Sequence, residues 1–114
     1  MVEIEKYSFG RMVISGQEYR EDLKIIQGRV VSGWWRRKGH RVTVQDVLDV
    51  FQAKPDILVV GRGRPGLMKV DPELAKALEK ENIELVDKGT AKAVQEFNLL
   101  AGQGADVAGC FHLT

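Results

Sequence analysis

The chain is expected to fold as a layered α/β domain with a mixed sheet, in which an N-terminal antiparallel ribbon packs with a parallel C-terminal βαβαβ unit. Three observations predict it. Ile57-Leu58-Val59-Val60 is continuously apolar, as in a strand buried on both faces. Strand-like and helix-like patterns alternate across residues 56–111. Short extended segments separated by turns fill the first third. At 114 residues, with 44% apolar and 29% charged side chains, the chain has the size and balance of one domain over residues 1–114.

Taken in order, Tyr7, Phe9, Arg11 and Val13 alternate as one extended segment, and Ser15-Gly16-Gln17 turns the chain into Glu18-Tyr19-Arg20 to make the ribbon. Leu23–Ile26 and Val30-Val31 are further strands, with Gly28 in the turn between them. Thr43 opens a helix, its hydroxyl placed to accept an amide and Asp46 placed to complete a capping box. Val44, Val47, Leu48 and Phe51 recur at i, i+3, i+4 and i+7 and should face a sheet, and Pro55 stops the helix near Lys54. Asp56–Val60 is the central strand. Asp71-Pro72 starts a second helix whose inward stripe is Leu74, Ala75 and Leu78, ending at Asn82. Ile83–Val86 is the next strand, and Thr90 caps a third helix carrying Val94, Phe97, Asn98 and Ala101 on one face, with a left-handed stop at Gly102. Asp106–Phe111 returns as the last strand.

Composition removes several classes of function. Cys110 is the single cysteine, so there is no intrachain disulfide, thiol-rich metal site or redox pair. His40 and His112 lie far apart in sequence with no ligand spacing, and no metal is expected. No apolar stretch approaches the roughly 20 residues that span a bilayer, so no membrane insertion is expected. Met1-Val2-Glu3-Ile4-Glu5-Lys6 lacks the basic start and apolar run of a secretory leader, and a cytoplasmic location is the expectation. A formal net charge of +1 argues against wholesale attraction to nucleic acid.

Gly61-Arg62-Gly63-Arg64-Pro65-Gly66 matches G-x-G-x-x-G after an apolar strand, and Asp87 follows at about the distance of a ribose-binding acid. The immediate helix is missing: Leu67-Met68-Lys69-Val70 intervenes, and Pro65 has no amide to offer a phosphate. A tight structural turn is the favoured reading and no cofactor is expected. A smaller pocket for an anion stays open, formed by Arg62, Arg64, Lys69, Thr90 and Asn98 at the sheet edge. Cys110 and His112 share one face of an extended strand, yet no catalytic residue is assigned, because a lone cysteine there reads as a small apolar core residue. Trp34 and Trp35 point to opposite sides of an extended segment, one inward and one outward. With Arg36, Arg37 and Lys38 they form a candidate partner surface.

Phe9-Gly10-Arg11-Met12, the Trp34-Trp35 region, Ile57–Gly63, Lys88-Gly89-Thr90, Ala93–Leu100 with Gly102, and Gly109-Cys110-Phe111-His112 together resemble the adipogenesis-associated domain family. A related domain occurs in a mitochondrial respiratory complex I assembly factor. The resemblance covers essentially the whole chain and implies a three-layer α/β fold without a shared catalytic reaction or cofactor. Arg62 stands between glycines where some branches have Thr, and Phe97-Asn98 stands where Tyr-Asn is frequent. The expected function is a noncatalytic protein-binding or assembly module, with an unidentified protein or a second copy of the chain as partner. The second expectation is a small-anion-binding protein or enzyme using the pocket near Gly61–Arg64, Thr90 and Asn98.

Overall fold

The computed structural model describes residues 2–114. Ten strands follow one another as β1 (Ile4–Ser8), β2 (Arg11–Ile14), β3 (Gln17–Tyr19), β4 (Leu23–Ile26), β5 (Arg29–Ser32), β6 (Arg41–Val42), β7 (Ile57–Gly61), β8 (Lys69–Val70), β9 (Glu84–Lys88) and β10 (Val107–Phe111). Helix α1 is Leu48–Ala53, α2 is Pro72–Lys80 and α3 is Thr90–Gly102. The main sheet has the order β5-β4-β10-β7-β9, with a ribbon β1-β2-β3 and a two-stranded ladder β6-β8 beside it.

The mixed sheet turns on β10, which runs parallel to β7 and antiparallel to β4. Its neighbours β7 and β9 are parallel, so the chain leaves β7 through α2 to one side and returns through α3 to the other. That is the parallel βαβαβ unit, joined through β4 to antiparallel β5.

Alternation along the buried strands divides the core between the sheet's two faces. Val59, Val107 and Phe111 pack with Phe97 and Val94 of α3 and with Ile4, Met12 and Ile14 of the ribbon. Leu58, Val60, Ala108 and Cys110 point the other way, toward Val47, Val50, Leu74, Leu78 and Trp34. Both faces are covered, which is why β7 and β10 are apolar throughout.

Several local expectations are corrected. The segment read as one strand from Tyr7 to Val13 is a hairpin, β1 and β2 turning at Phe9-Gly10. Thr43 is followed by a 3-10 turn, Val44–Val47, before α1 begins. Its tighter winding shifts the phase, so Val50 is buried and Leu48 faces out. The expected part of Asp46 in a capping box is present: the Thr43 amide donates to Asp46 Oδ2 at 2.8 Å, and the Thr43 hydroxyl donates to the same oxygen at 2.9 Å. Gly89 is the N-cap of α3 and Thr90 its first residue; the left-handed glycine after that helix is Gly104 at φ +82°, with Gly102 still helical.

Phe97 and Phe111 meet edge to face at 5.8 Å between centroids. Gly109 makes room for them: a Cβ there would lie 2.5 Å from Phe111 Cε2 and 2.7 Å from its Cζ. Gly109→Ala is expected to lower unfolding free energy by about 1–3 kcal/mol through overpacking, read as a lower urea midpoint at unchanged m-value.

Candidate functional site

The parallel strands β7, β9 and β10 end side by side at Gly61, Lys88 and Phe111, the edge where open α/β sheets bind ligands. In this chain the edge is largely filled by its own backbone. The Thr90 hydroxyl accepts from the Gly63 amide at 2.7 Å and donates to the His112 carbonyl at 2.6 Å. The Gly63 carbonyl accepts the first amide of α3, from Thr90, at 3.2 Å. Gly63 sits at φ +94°, and a Cβ would approach His112 Cδ2 to 2.6 Å. Its lack of a side chain therefore permits the loop to close on β10. The glycines make a structural turn that brings strand ends together, and the loop's own Gly63 carbonyl takes the first amide of α3.

The residues expected to share an anion pocket are divided between several places. Arg62 Nε lies 2.8 Å from Asp87 Oδ1 in ionic contact, and its Nη1 donates to the Gly66 carbonyl at 3.2 Å. Burial raises the pKa of Asp87, only partly offset by Arg62 and Lys88. Arg64 is exposed, its amide donating to the Thr114 carbonyl. Lys69 lies on β8 beside Arg41 of β6. Asn98 is two helical turns along α3 from Thr90, where its Oδ1 accepts from Ile4 N–H at 2.9 Å and its Nδ2 donates to the Ile4 carbonyl at 2.8 Å. That amide clips β1 to α3.

Sequence reading missed the residue that organises this end of the molecule, Asp22. Its Oδ1 accepts from Leu113 N–H at 2.7 Å, and its Oδ2 lies 2.8 Å from both His112 Nδ1 and Arg36 Nη2. An ionised carboxylate can only accept, so His112 carries its proton on Nδ1. Burial, the largest influence on Asp22, raises its pKa, but the bonds from Leu113, His112 and Arg36 together outweigh it and hold the carboxyl below the ordinary range. Arg20-Glu21-Asp22 reads in sequence as a solvated charged turn, and the only signal toward Asp22 was the unassigned His112. Cys110 is fully buried and its thiol is pushed up to about 12 by burial, so it is not a thiolate at neutral pH.

The expected partner surface is split in two. Trp34 is 7% exposed, donates from Nε1 to the Asp46 carbonyl at 2.9 Å, and lies under the Arg36 guanidinium at 4.6 Å. Arg36, whose side chain is 6% exposed, is thus internal as well. Trp35 is 87% exposed, and Arg37 and Lys38 also face solvent. A cavity of about 440 Å³ opens beside Trp35, lined by Trp34, Arg36, Arg37, Val31 and Asp46 among others.

A family model described as a protein of unknown function (DUF498/DUF598) matches residues 4–112. The chain belongs to this family. Among solved structures it is similar to the conserved hypothetical protein PH1505 from Pyrococcus horikoshii OT3, at 26% identity over 98% of each chain and a TM-score of 0.79. The Rpa2829 protein from Rhodopseudomonas palustris matches at 25% identity over 95% of this chain and 80% of the other, with a TM-score of 0.71. A Mth938-like domain protein from Bordetella pertussis matches at 16% identity over 97% of this chain and 85% of the other, with a TM-score of 0.76, a likeness of fold. These likenesses extend over nearly the whole chain and are consistent with one related domain family of this fold. Among the described residues, no helix is long and apolar enough to cross a membrane, and no three His, Cys, Asp or Glu side chains converge as metal ligands.

Two outcomes test this geometry. Asp22 has a depressed folded pKa, so its contribution to stability is full above the ordinary carboxylate value of about 3.9 and is lost as pH falls from there through the lower folded value. Asp22→Asn is expected to lower stability at pH 7 and to flatten the acid limb of a pH–stability profile measured by urea unfolding. Asn98→Ala leaves the Ile4 amide and carbonyl unpaired, with an expected cost of about 2 kcal/mol and faster hydrogen exchange at Ile4.

Proposed function

We propose that this protein is a noncatalytic docking module that presents Trp35, flanked by Arg37 and Lys38, to another protein. The observation that carries this reading is the 87% exposure of Trp35 directly after a 7% exposed Trp34. A large exposed aromatic beside an arginine is the composition of an interface hot spot.

The ring also projects from a fixed turn, which lowers the entropy cost of recognition. The Trp34 amide donates to the Asp22 carbonyl at 2.8 Å, and the Arg37 amide donates to the Asp46 carboxylate at 3.3 Å. Arg36 Nε donates to the Gly39 carbonyl at 3.0 Å. Trp35 is therefore anchored on both sides while its own ring is free. Exposed basic groups next to it favour a partner with an acidic rim around an apolar pocket. The resemblance to a domain of a respiratory complex I assembly factor supports the same direction, recognition without chemistry.

The test is recovery of the tagged protein from its host under gentle conditions, followed by native mass spectrometry. A heterologous protein should co-purify with the wild type, and Trp35→Ala should weaken that complex by about 2 kcal/mol, roughly thirtyfold in Kd, with Tm unchanged. Recovery of self-complexes alone, or a complex indifferent to Trp35→Ala, would overturn this reading.

A further inference from the structure

Four basic side chains, Lys38, His40, Arg41 and Lys69, together with Leu67, line one open cavity of about 400 Å³. Main-chain bonds hold them there. Arg41 and Lys69 are direct partners on the parallel ladder β6–β8, so their side chains leave the same face. The Arg41 amide donates to the Lys38 carbonyl at 2.9 Å, and the Lys69 amide donates to the His40 carbonyl at 2.9 Å. His40 in turn meets the His112 ring edge to face, with centroids 5.9 Å apart.

The electrostatics of this arrangement lack a counterpart. Among the described residues, the one ion pair made by these four side chains is Arg41 Nη1 with Asp71 Oδ1, at a long 3.7 Å. Like charges facing one another on paired strands repel. A cavity that fixes three permanent cations and an imidazole against a single distant carboxylate is complementary to an anion carrying more than one charge. Arginine and lysine together suit phosphoryl oxygens, through a planar fork and a point charge respectively. Leu67, 65% exposed, supplies an apolar wall for the rest of a ligand.

We infer that this cavity binds the phosphoryl group of a small phosphate ester or pyrophosphate. Nucleic acid fits less well: neither of the exposed aromatics Trp35 and Phe9 lines this cavity, and Trp35 lines separate cavities with Arg37. The site shares Lys38 with the docking surface but not Trp35, so Trp35→Ala separates the two readings.

The experiment is an NMR titration of the isotope-labelled full chain with inorganic pyrophosphate at low ionic strength. Saturable shifts are expected at the amides of Lys38, His40, Arg41 and Lys69. Arg41→Gln and Lys69→Gln should each weaken binding roughly tenfold, the loss of one charge-assisted contact, while Trp35→Ala and Lys92→Gln on α3 leave it within about twofold. Because the two altered cations are exposed, the remaining amide spectrum reports directly that the variants are folded. Shifts that do not saturate, or equal weakening by Lys92→Gln, would overturn the proposal in favour of diffuse surface charge. An oligothymidylate that moves the same amides and resists displacement by pyrophosphate would overturn it in favour of a nucleic acid.

Discussion

The Asp22 carboxylate ties together three segments that are remote in sequence. It receives the Leu113 amide and contacts His112 and Arg36, while its own carbonyl receives the Trp34 amide. Through His112 it fixes the exit of β10, and through Arg36 and Trp34 it fixes the turn that exposes Trp35. The cluster is a buried charged network whose charges are paired and whose carboxylate oxygens are bonded, with Arg36 Nη1 left without a partner, and breaking such a pair costs more than its net worth. Remove the carboxylate and Arg36 becomes an uncompensated cation over a tryptophan, with the Leu113 amide stranded.

Around that anchor, the edge of the parallel sheet has been turned from a ligand cleft into a structural joint. Thr90 bridges the Gly63 loop to the His112 carbonyl, and Tyr7 and Gly10 of the ribbon both donate to the Leu113 carbonyl, at 2.9 and 2.8 Å. The Gly63 amide, the Thr90 hydroxyl and the Thr90 amide, all at the strand ends, are bonded internally. The two proposed recognition sites lie outward of this joint, at the Trp35 turn and in the basic cavity beside β6 and β8. One fold edge can thus be structural while its rim is left for recognition.

Much of the architecture was legible because it depends on local pattern. The uninterrupted apolar run of β7, the Asp71-Pro72 start of α2 and the proline after α1 are written in neighbouring residues. The 3-10 turn before α1 was not, since Leu48 and Val50 are both apolar and only the winding decides which is buried. Asn98 was read onto the correct helix face, but its distance from Thr90 along α3 separates it from the glycine loop. The Asp22 cluster was illegible for a deeper reason: its partners are far apart in the chain and no periodicity connects them. The alternation that sends one tryptophan inward and one outward was readable, but which of the two is buried and the burial of Arg36 depended on long-range contacts.

The position of β10 within the sheet has a consequence for how the protein is made. It is synthesised after β4, β5, β7 and β9, yet it is the strand that joins them, pairing Phe111 with both Leu23 and Gly61. Until it emerges from the ribosome, the β4–β5 hairpin and the β7–β9 pair are separate, each with an open edge and uncovered apolar side chains. Closing the sheet brings together residues from near opposite ends of the sequence, an arrangement of high contact order. Between the completion of β9 and the arrival of β10 the nascent chain accordingly holds two unfinished half-sheets, the state in which edge strands are most open to pairing with the wrong neighbour.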